Sequence, residues 1–209
     1  MRVATAVALV LATFVARAAE PVDAARPAVV DPSLDRRKVV VPRIDTEDFE
    51  IGLYTGIYSA EDFGSASSKG VRFDYHVTER VFFEGIYGET TISDQLFRQV
   101  LPGGIFRNKE EPLIYYDISI GYALFPGETF VTRNWAWSSA VYVTAGLGNT
   151  NFAREDHATF VFGLGLRLLP VDWLSLRLDM RDHIFSSDIL GVQKTTHNFE
   201  FITGIGVYF

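Results

Sequence analysis

From Phe49 onward, apolar and polar residues alternate with a period of two, the signature of strands whose successive side chains point to opposite faces. Eight segments carry the pattern. Val71, Phe73, Tyr75 and Val77 oppose Arg72, Asp74, His76 and Thr78. Ile114, Tyr116, Ile118, Ile120 and Tyr122 oppose Tyr115, Asp117, Ser119 and Gly121. Leu174, Leu176, Leu178 and Met180 oppose Ser175, Arg177, Asp179 and Arg181. The last segment sets Phe199, Phe201, Ile205, Val207 and Phe209 against Asn198, Glu200, Gly204, Gly206 and Tyr208. Segments near Phe49–Tyr58, Ser139–Gly148 and Thr159–Leu168 follow the same rule. The segment Val81–Thr91 is ambiguous, because Phe82 and Ile86 share parity with Glu84. Each run is about as long as a tilted strand needs to be to cross a bilayer.

The links between segments alternate as well. Short ones are expected at Thr78-Glu79-Arg80, near Pro126-Gly127-Glu128, and at Pro170-Val171-Asp172. Longer ones are expected at Ser59–Lys69, Ser93–Pro112, Asn149–Asp156 and Ser186–Lys194. Short turns at one end and long loops at the other predict an all-β, antiparallel, up-and-down transmembrane barrel of about eight strands. An even strand number places both ends of the barrel on the short-turn side, the periplasm. In Ser93–Leu101 the spacing predicts a short helix, with Ser93 as cap and Leu96, Phe97 and Val100 on one side.

The chain ahead of Phe49 reads differently. Met1-Arg2, an apolar run from Val3 to Val15 and the small-x-small Ala16-Arg17-Ala18 form a secretory signal, residues 1–18. Residues 19–47 carry Pro21, Pro27, Pro32 and Pro42 with no steady alternation, and read as a flexible periplasmic leader. The barrel domain is residues 48–209.

Periodicity alone does not say which face is wet, since a soluble lipid-binding barrel would place its apolar face inside. Three features favour the membrane. Tyr87, Tyr122, Trp173 and Phe209 lie on the apolar parity near segment ends, as an interfacial girdle requires. The polar parity is rich in Gly, which suits a crowded lumen. The chain also ends on a strand. The lumen would then hold ten charges: Glu50, Arg72, Asp74, Glu84, Asp117, Arg167, Arg177, Asp179, Arg181 and Glu200. An eight-stranded barrel is just wide enough for side chains to fill, so these charges are expected to form a plug. Register places Arg181 near Glu200, and Asp74 near Glu84, two like charges that need a base from Arg72, Arg167 or Arg177 or else a proton on one of them.

The chain resembles the small bacterial outer-membrane β-barrel domain proteins found in myxobacteria and proteobacteria. The resemblance rests on Leu124-Phe125-Pro126-Gly127-Glu128, on Ala145-Gly146-Leu147-Gly148-Asn149-Thr150, and on Arg181-Asp182-His183-Ile184-Phe185 with Lys194-Thr195-Thr196-His197-Asn198-Phe199-Glu200. It implies an outer-membrane barrel in a Gram-negative cell and no defined activity. The C-terminus also resembles the signal read by the barrel assembly machinery. Gly204, Val207 and Phe209 match it, and Ile202 departs from it at the polar position. An open-edged last strand can pair with that machinery by strand addition.

Composition narrows the chemistry. The chain has no Cys, which excludes disulfides and thiolate sites, and a net charge of -7, which argues against nucleic acid. His76 and His157 are isolated and lack metal-ligand spacing, so no cofactor is expected. Asp182, His183, Ser186, Ser187 and His197 cluster at one loop and raise the alternative of a lipid A-modifying hydrolase, which would need a His in reach of a Ser. The reading favoured is a filled barrel with a structural or loop-mediated binding role. A narrow pore is a further alternative. Expected partners are outer-membrane lipid and lipopolysaccharide, the assembly machinery during insertion, and a protein at the loops.

Overall fold

The computed structural model describes residues 48–209 except 102, 107, 133, 134, 154 and 190. The signal and leader expected over 1–47 lie outside the described residues. Eight strands form one closed antiparallel ring in chain order. They are β1 (Phe49–Ala60), β2 (Gly64–His76), β3 (Val81–Ser93), β4 (Glu110–Phe130), β5 (Ala136–Phe152), β6 (Glu155–Val171), β7 (Leu174–Ser187) and β8 (Lys194–Tyr208). One short helix, α1 (Gln95–Arg98), lies between β3 and β4.

The ring closes through β1 and β8, paired from Glu50–Tyr208 to Ser59–Phe199. Following cross-strand partners once round the wall leads from Phe49 through Tyr75, Phe83, Ile120, Ala145, Phe162, Asp182 and Phe199 back to β1 at Ser59. The wall is therefore staggered by ten residues. With strands about 4.8 Å apart and rising about 3.3 Å per residue, this stagger means a tilt of about 40° and a radius of roughly 8 Å.

The structure resolves which face is wet. Ile51, Leu53, Ile118, Ile120, Leu147, Phe162, Leu164, Leu178, Phe201 and Ile205 all point outward and are exposed. Water does not tolerate a continuous apolar belt of this size, and a closed ring leaves no unpaired edge in lipid. Phe49, Tyr75, Tyr122, Trp173 and Phe209 circle the end of the belt that holds the barrel's two termini. Toward the other end, Lys69 pairs with Glu89 at 3.0 Å and His197 with Asp182 at 2.7 Å on the outer wall, where the lipid-compatible surface stops. The ambiguous third segment also resolves: Phe82, Glu84 and Ile86 are buried in the lumen, while Phe83 and Tyr87 face out.

Two of the four expected long loops, Ser59–Lys69 and Asn149–Asp156, are mostly strand. β1 and β2 continue as a paired hairpin to a turn at Glu61–Phe63, with Ser59 opposite Ser65 and Asp62 in the left-handed region (φ 73°). Likewise, β5 and β6 pair up to Phe152 and Glu155, whereas β7 and β8 pair only to Ser187 and Lys194, which leaves the loop expected there. Above the bilayer the outward positions need not be apolar, so polar strands there look like loops in the sequence. Pro126-Gly127-Glu128 is not a turn either. It lies in β4 opposite Ser138–Ala140, beyond a register shift between Ala123 and Phe125, and the reversal comes after Phe130. Tyr122 is the last β4 residue paired to β3. Pro126 therefore sits on an open edge, where a missing N–H costs no ladder bond.

The loop between β3 and β4 is organised by one carboxylate. The helix is shorter than Ser93–Leu101, and Val100 is exposed. Ser93 accepts only from the Gln95 N–H, at 3.3 Å. Asp94 binds Arg98 Nε at 2.6 Å and accepts from the Ile105 and Phe106 N–H groups at 2.9 and 3.0 Å. Arg98 in turn donates to the Phe106 and Asn108 carbonyls. These bonds pin Phe106 over the barrel mouth. Burial disfavours the Asp94 carboxylate, but Arg98 and the two N–H groups outweigh it and hold its pKa below the ordinary value. A lowered folded pKa contributes stability above the unfolded value, which is lost as pH falls through the folded one. Cleavage of residues 94–109 by an acid-tolerant protease should be slow above about pH 4, near the ordinary Asp value, and should rise several-fold below it. Asp94→Asn should cleave fast at every pH; an unchanged cleavage profile would refute this role.

Candidate functional site

Every strand turns one parity inward, and that parity carries the polar chemistry. Glu50, Arg72, Asp74, Glu84, Asp117, Arg167, Arg177, Asp179, Arg181 and Glu200 are all buried, Arg181 to 1% and Arg167 to 2% exposure. Six carboxylates and four guanidiniums thus share a lumen only a few side chains wide. Glycine makes the room. A Cβ on Gly121 would lie 2.1 Å from the Phe82 ring, and one on Gly165 would lie 2.2 Å from Asp179 and 2.4 Å from Tyr142.

The network runs in tiers. Nearest the end that holds the barrel's termini, Glu50 accepts from Ser175 and from Arg177, with His76 Nε2 at 3.4 Å. Tyr208 and Arg167 approach the same imidazole at 3.3 Å. The Arg167 and Arg177 guanidiniums lie 5.8 and 5.5 Å from the centre of the Phe82 ring, within cation–π range. In the middle tier, Asp74 and Glu84 are register partners. Arg177 lies between them, 3.0 Å from Asp74 and 3.8 Å from Glu84. Glu84 also receives Arg72 at 3.2 Å and Arg181 at 2.6 Å. Asp179 binds Arg72 and Tyr142. Asp117 accepts from Ser119 at 3.0 Å and lies 3.9 Å from Arg181.

The upper tier has no guanidinium in it. Glu200 is held by His183 at 3.1 Å and by the Tyr115 hydroxyl. Tyr115 shares a 3.0 Å bond with Tyr54. Rings of Tyr58 and Tyr115 pack on His183. Above them the filling turns apolar, with Ile92, Phe106, Leu113 and Phe152 buried and Phe63 packed against them.

One expected pairing changes, and of the three bases expected between Asp74 and Glu84 the one found is Arg177. Arg181 and Glu200 are opposite in register, yet Arg181 extends across the lumen to Glu84 and Glu200 takes His183. Arg167 does not bridge Asp74 and Glu84; it sits against His76 and Phe82. Tyr54, Tyr115, Tyr142, Tyr208, His76 and Ser175 belong to the network although none is a carboxylate or a guanidinium. Their shared parity with the charged residues is the signal that marks them.

The final hairpin does not assemble as one cluster. His183 faces the lumen, whereas Asp182 and His197 pair on the outer wall. Ser186 bonds Thr195 at 3.2 Å. Among the described residues no Ser hydroxyl hydrogen-bonds a His ring. At the C-terminus, Val207 and Phe209 face outward and Gly204 lines the wall against Leu53 and Tyr54. Ile202 is buried in the lumen, where it packs with Tyr54, Tyr58 and Ile86.

No protein-family model and no curated protein matches the chain. Solved structures do. The outer membrane protein OprG from Pseudomonas aeruginosa aligns over 83% of this chain and 97% of its own, at 15% identity and a TM-score of 0.49. Neisserial surface protein A aligns over 78% and 97%, at 11% identity and 0.46. The outer membrane protein AlkL, solved in lipid bilayers, aligns over 92% and 97%, at 14% identity and 0.47.

Removing one member of a buried ion cluster leaves its partner uncompensated, which costs about 3–5 kcal/mol. Glu84→Gln strips charge from Arg72, Arg177 and Arg181 together and should cost that much in urea unfolding from bilayers. Glu200→Gln weakens the contacts to His183 and Tyr115 without stranding a guanidinium and should cost about 1–3 kcal/mol. Equal urea resistance in wild type and both variants would exclude a structural role for the network. The closed ring, outward apolar belt and inward charges make this chain a small eight-stranded β-barrel of the outer membrane.

Proposed function

We propose that the barrel is a sealed scaffold, not a conduit, and that its work is done by the hairpins it holds above the outer leaflet. The observation that carries this is the lumen filled from wall to wall. Arginine–carboxylate tiers span its lower and middle parts, a Tyr–His–Glu tier follows, and Phe106 and Phe63 close the mouth. A water-filled pore needs a continuous polar path, and the buried aromatic cap interrupts one. Single-channel recording of the refolded protein in planar bilayers should show no discrete openings. Steady ohmic steps would overturn the reading.

The Asp182–His197 pair has no serine partner, so the refolded barrel is expected to release no fatty acid from lipopolysaccharide. Release that disappears in His197→Ala would replace the scaffold reading with a hydrolase. Lipid contact follows from the belt, and lipopolysaccharide would meet the outer wall near Lys69, Glu89, Asp182 and His197. The outward Val207 and Phe209 suit a last strand handed over by the barrel assembly machinery. The motifs of the final hairpin support kinship with the barrel domain proteins of the myxobacterial and proteobacterial type.

A further inference from the structure

The strand ladder that seals the wall stops short on one side of the mouth. β1 turns at Ala60, so its last pairing with β8 is Ser59–Phe199, while β8 continues upward to Lys194. Side chains replace the missing ladder. Glu61 accepts from the His197 N–H at 2.7 Å, and Asn198 Oδ1 accepts from the Glu61 N–H at 3.0 Å. Lys194 closes the gap, 2.7 Å from Glu61 and 3.1 Å from Asp62.

Behind this latch lies a cavity of about 370 Å³, between the β1–β2 turn and the β7–β8 hairpin. Ala60, Phe63, Leu113, Phe152, Phe185 and Ile189 form its walls. Protein interiors rarely leave apolar voids larger than a water molecule, and this volume falls within the range of ligand pockets. Most of the polar groups at the rim are already committed. Lys194 is matched by two carboxylates, and Asn198 Nδ2 is bound to the His183 carbonyl and to Thr196. A charged ligand would have to break these bonds, whereas an apolar one would keep them. At the lip, Val192 is 74% exposed and continues the apolar wall toward the outside.

We propose that this cavity is a binding site for a small, uncharged, predominantly apolar molecule, reached from the extracellular side past the Lys194 latch. The proposal rests on the sealed-lumen reading, because it makes the cavity a blind pocket floored by packed side chains. Shape and desolvation supply the affinity, and the ion-paired rim supplies the discrimination against charge.

The test uses the full barrel in lipid nanodiscs with labelled Ile and Leu methyl groups, titrated with p-xylene. Leu113 and Ile189 methyl resonances should shift and saturate. Those of Ile118 and Leu147, which face lipid, should drift linearly if they move at all. Benzoate should leave Leu113 and Ile189 unmoved. Ser187→Trp places a ring in the cavity and should weaken binding roughly tenfold or more. Val192→Ser, at an exposed site that tolerates change, should weaken it a few-fold. Both variants should retain the mobility shift of a folded barrel on unboiled gels. Shifts at Leu113 and Ile189 that are absent, or that track Ile118 and Leu147 without saturating, would overturn the proposal; so would equal binding of benzoate. Absent shifts in a non-conducting barrel would remove only the ligand site. Conductance with saturable shifts would remove only the seal.

Discussion

The ladder between β1 and β8 is the contact on which the rest of this protein depends. In lipid, every backbone N–H and C=O must find a partner within the protein, and only a closed ring provides one for each strand. Closing eight strands at a stagger of ten residues leaves a lumen of small radius. That radius dictates the interior. It is too narrow for bulk water and too wide for backbone contact, so side chains from opposite walls must meet. Large inward residues such as Arg181, Tyr115 and Phe82 fill the span, and glycines such as Gly121 and Gly165 give them space.

Filling such a space with charge is costly unless each charge is matched. The tiers show how matching is achieved. Glu84 gathers Arg72, Arg177 and Arg181, so one carboxylate from β3 links β2 and β7 across the lumen. Glu50 does the same lower down for Arg177, Ser175 and His76. Bonds between distant strands hold the ring at one radius, which makes the network a specificity device as well as a filling. The same rigidity leaves the hairpins above the belt as the part of the molecule free to meet other molecules.

The mouth follows different physics. There the outward positions face water, Ser65 and Ser67 replace the apolar residues of the belt, and the filling changes from charge to aromatic packing. Asp94 ties the longest loop down onto this packing through Arg98, Ile105 and Phe106. Between the β1–β2 turn and the β7–β8 hairpin the packing is incomplete, because β1 ends before β8 does. If the lumen is sealed as proposed, this gap is the natural place for recognition.

The sequence by itself determined the two parities outside the third segment, and the structure decided which of them faces lipid. Parity put the ten charges together, because a strand's side chains alternate whatever its neighbours are. It also determined the strand number and the side on which the ends lie. It did not reveal the hairpin lengths, since polar paired strands above a membrane share the composition of loops. Nor did it reveal which charges meet. Arg181 and Glu200 are neighbours in register, yet they take different partners. The stagger decides this, by setting which residues of strands far apart in the chain stand at one height in the lumen. That is a property of the closed ring alone. The same closure sends His183 inward and His197 outward from a stretch that reads in sequence as a single cluster.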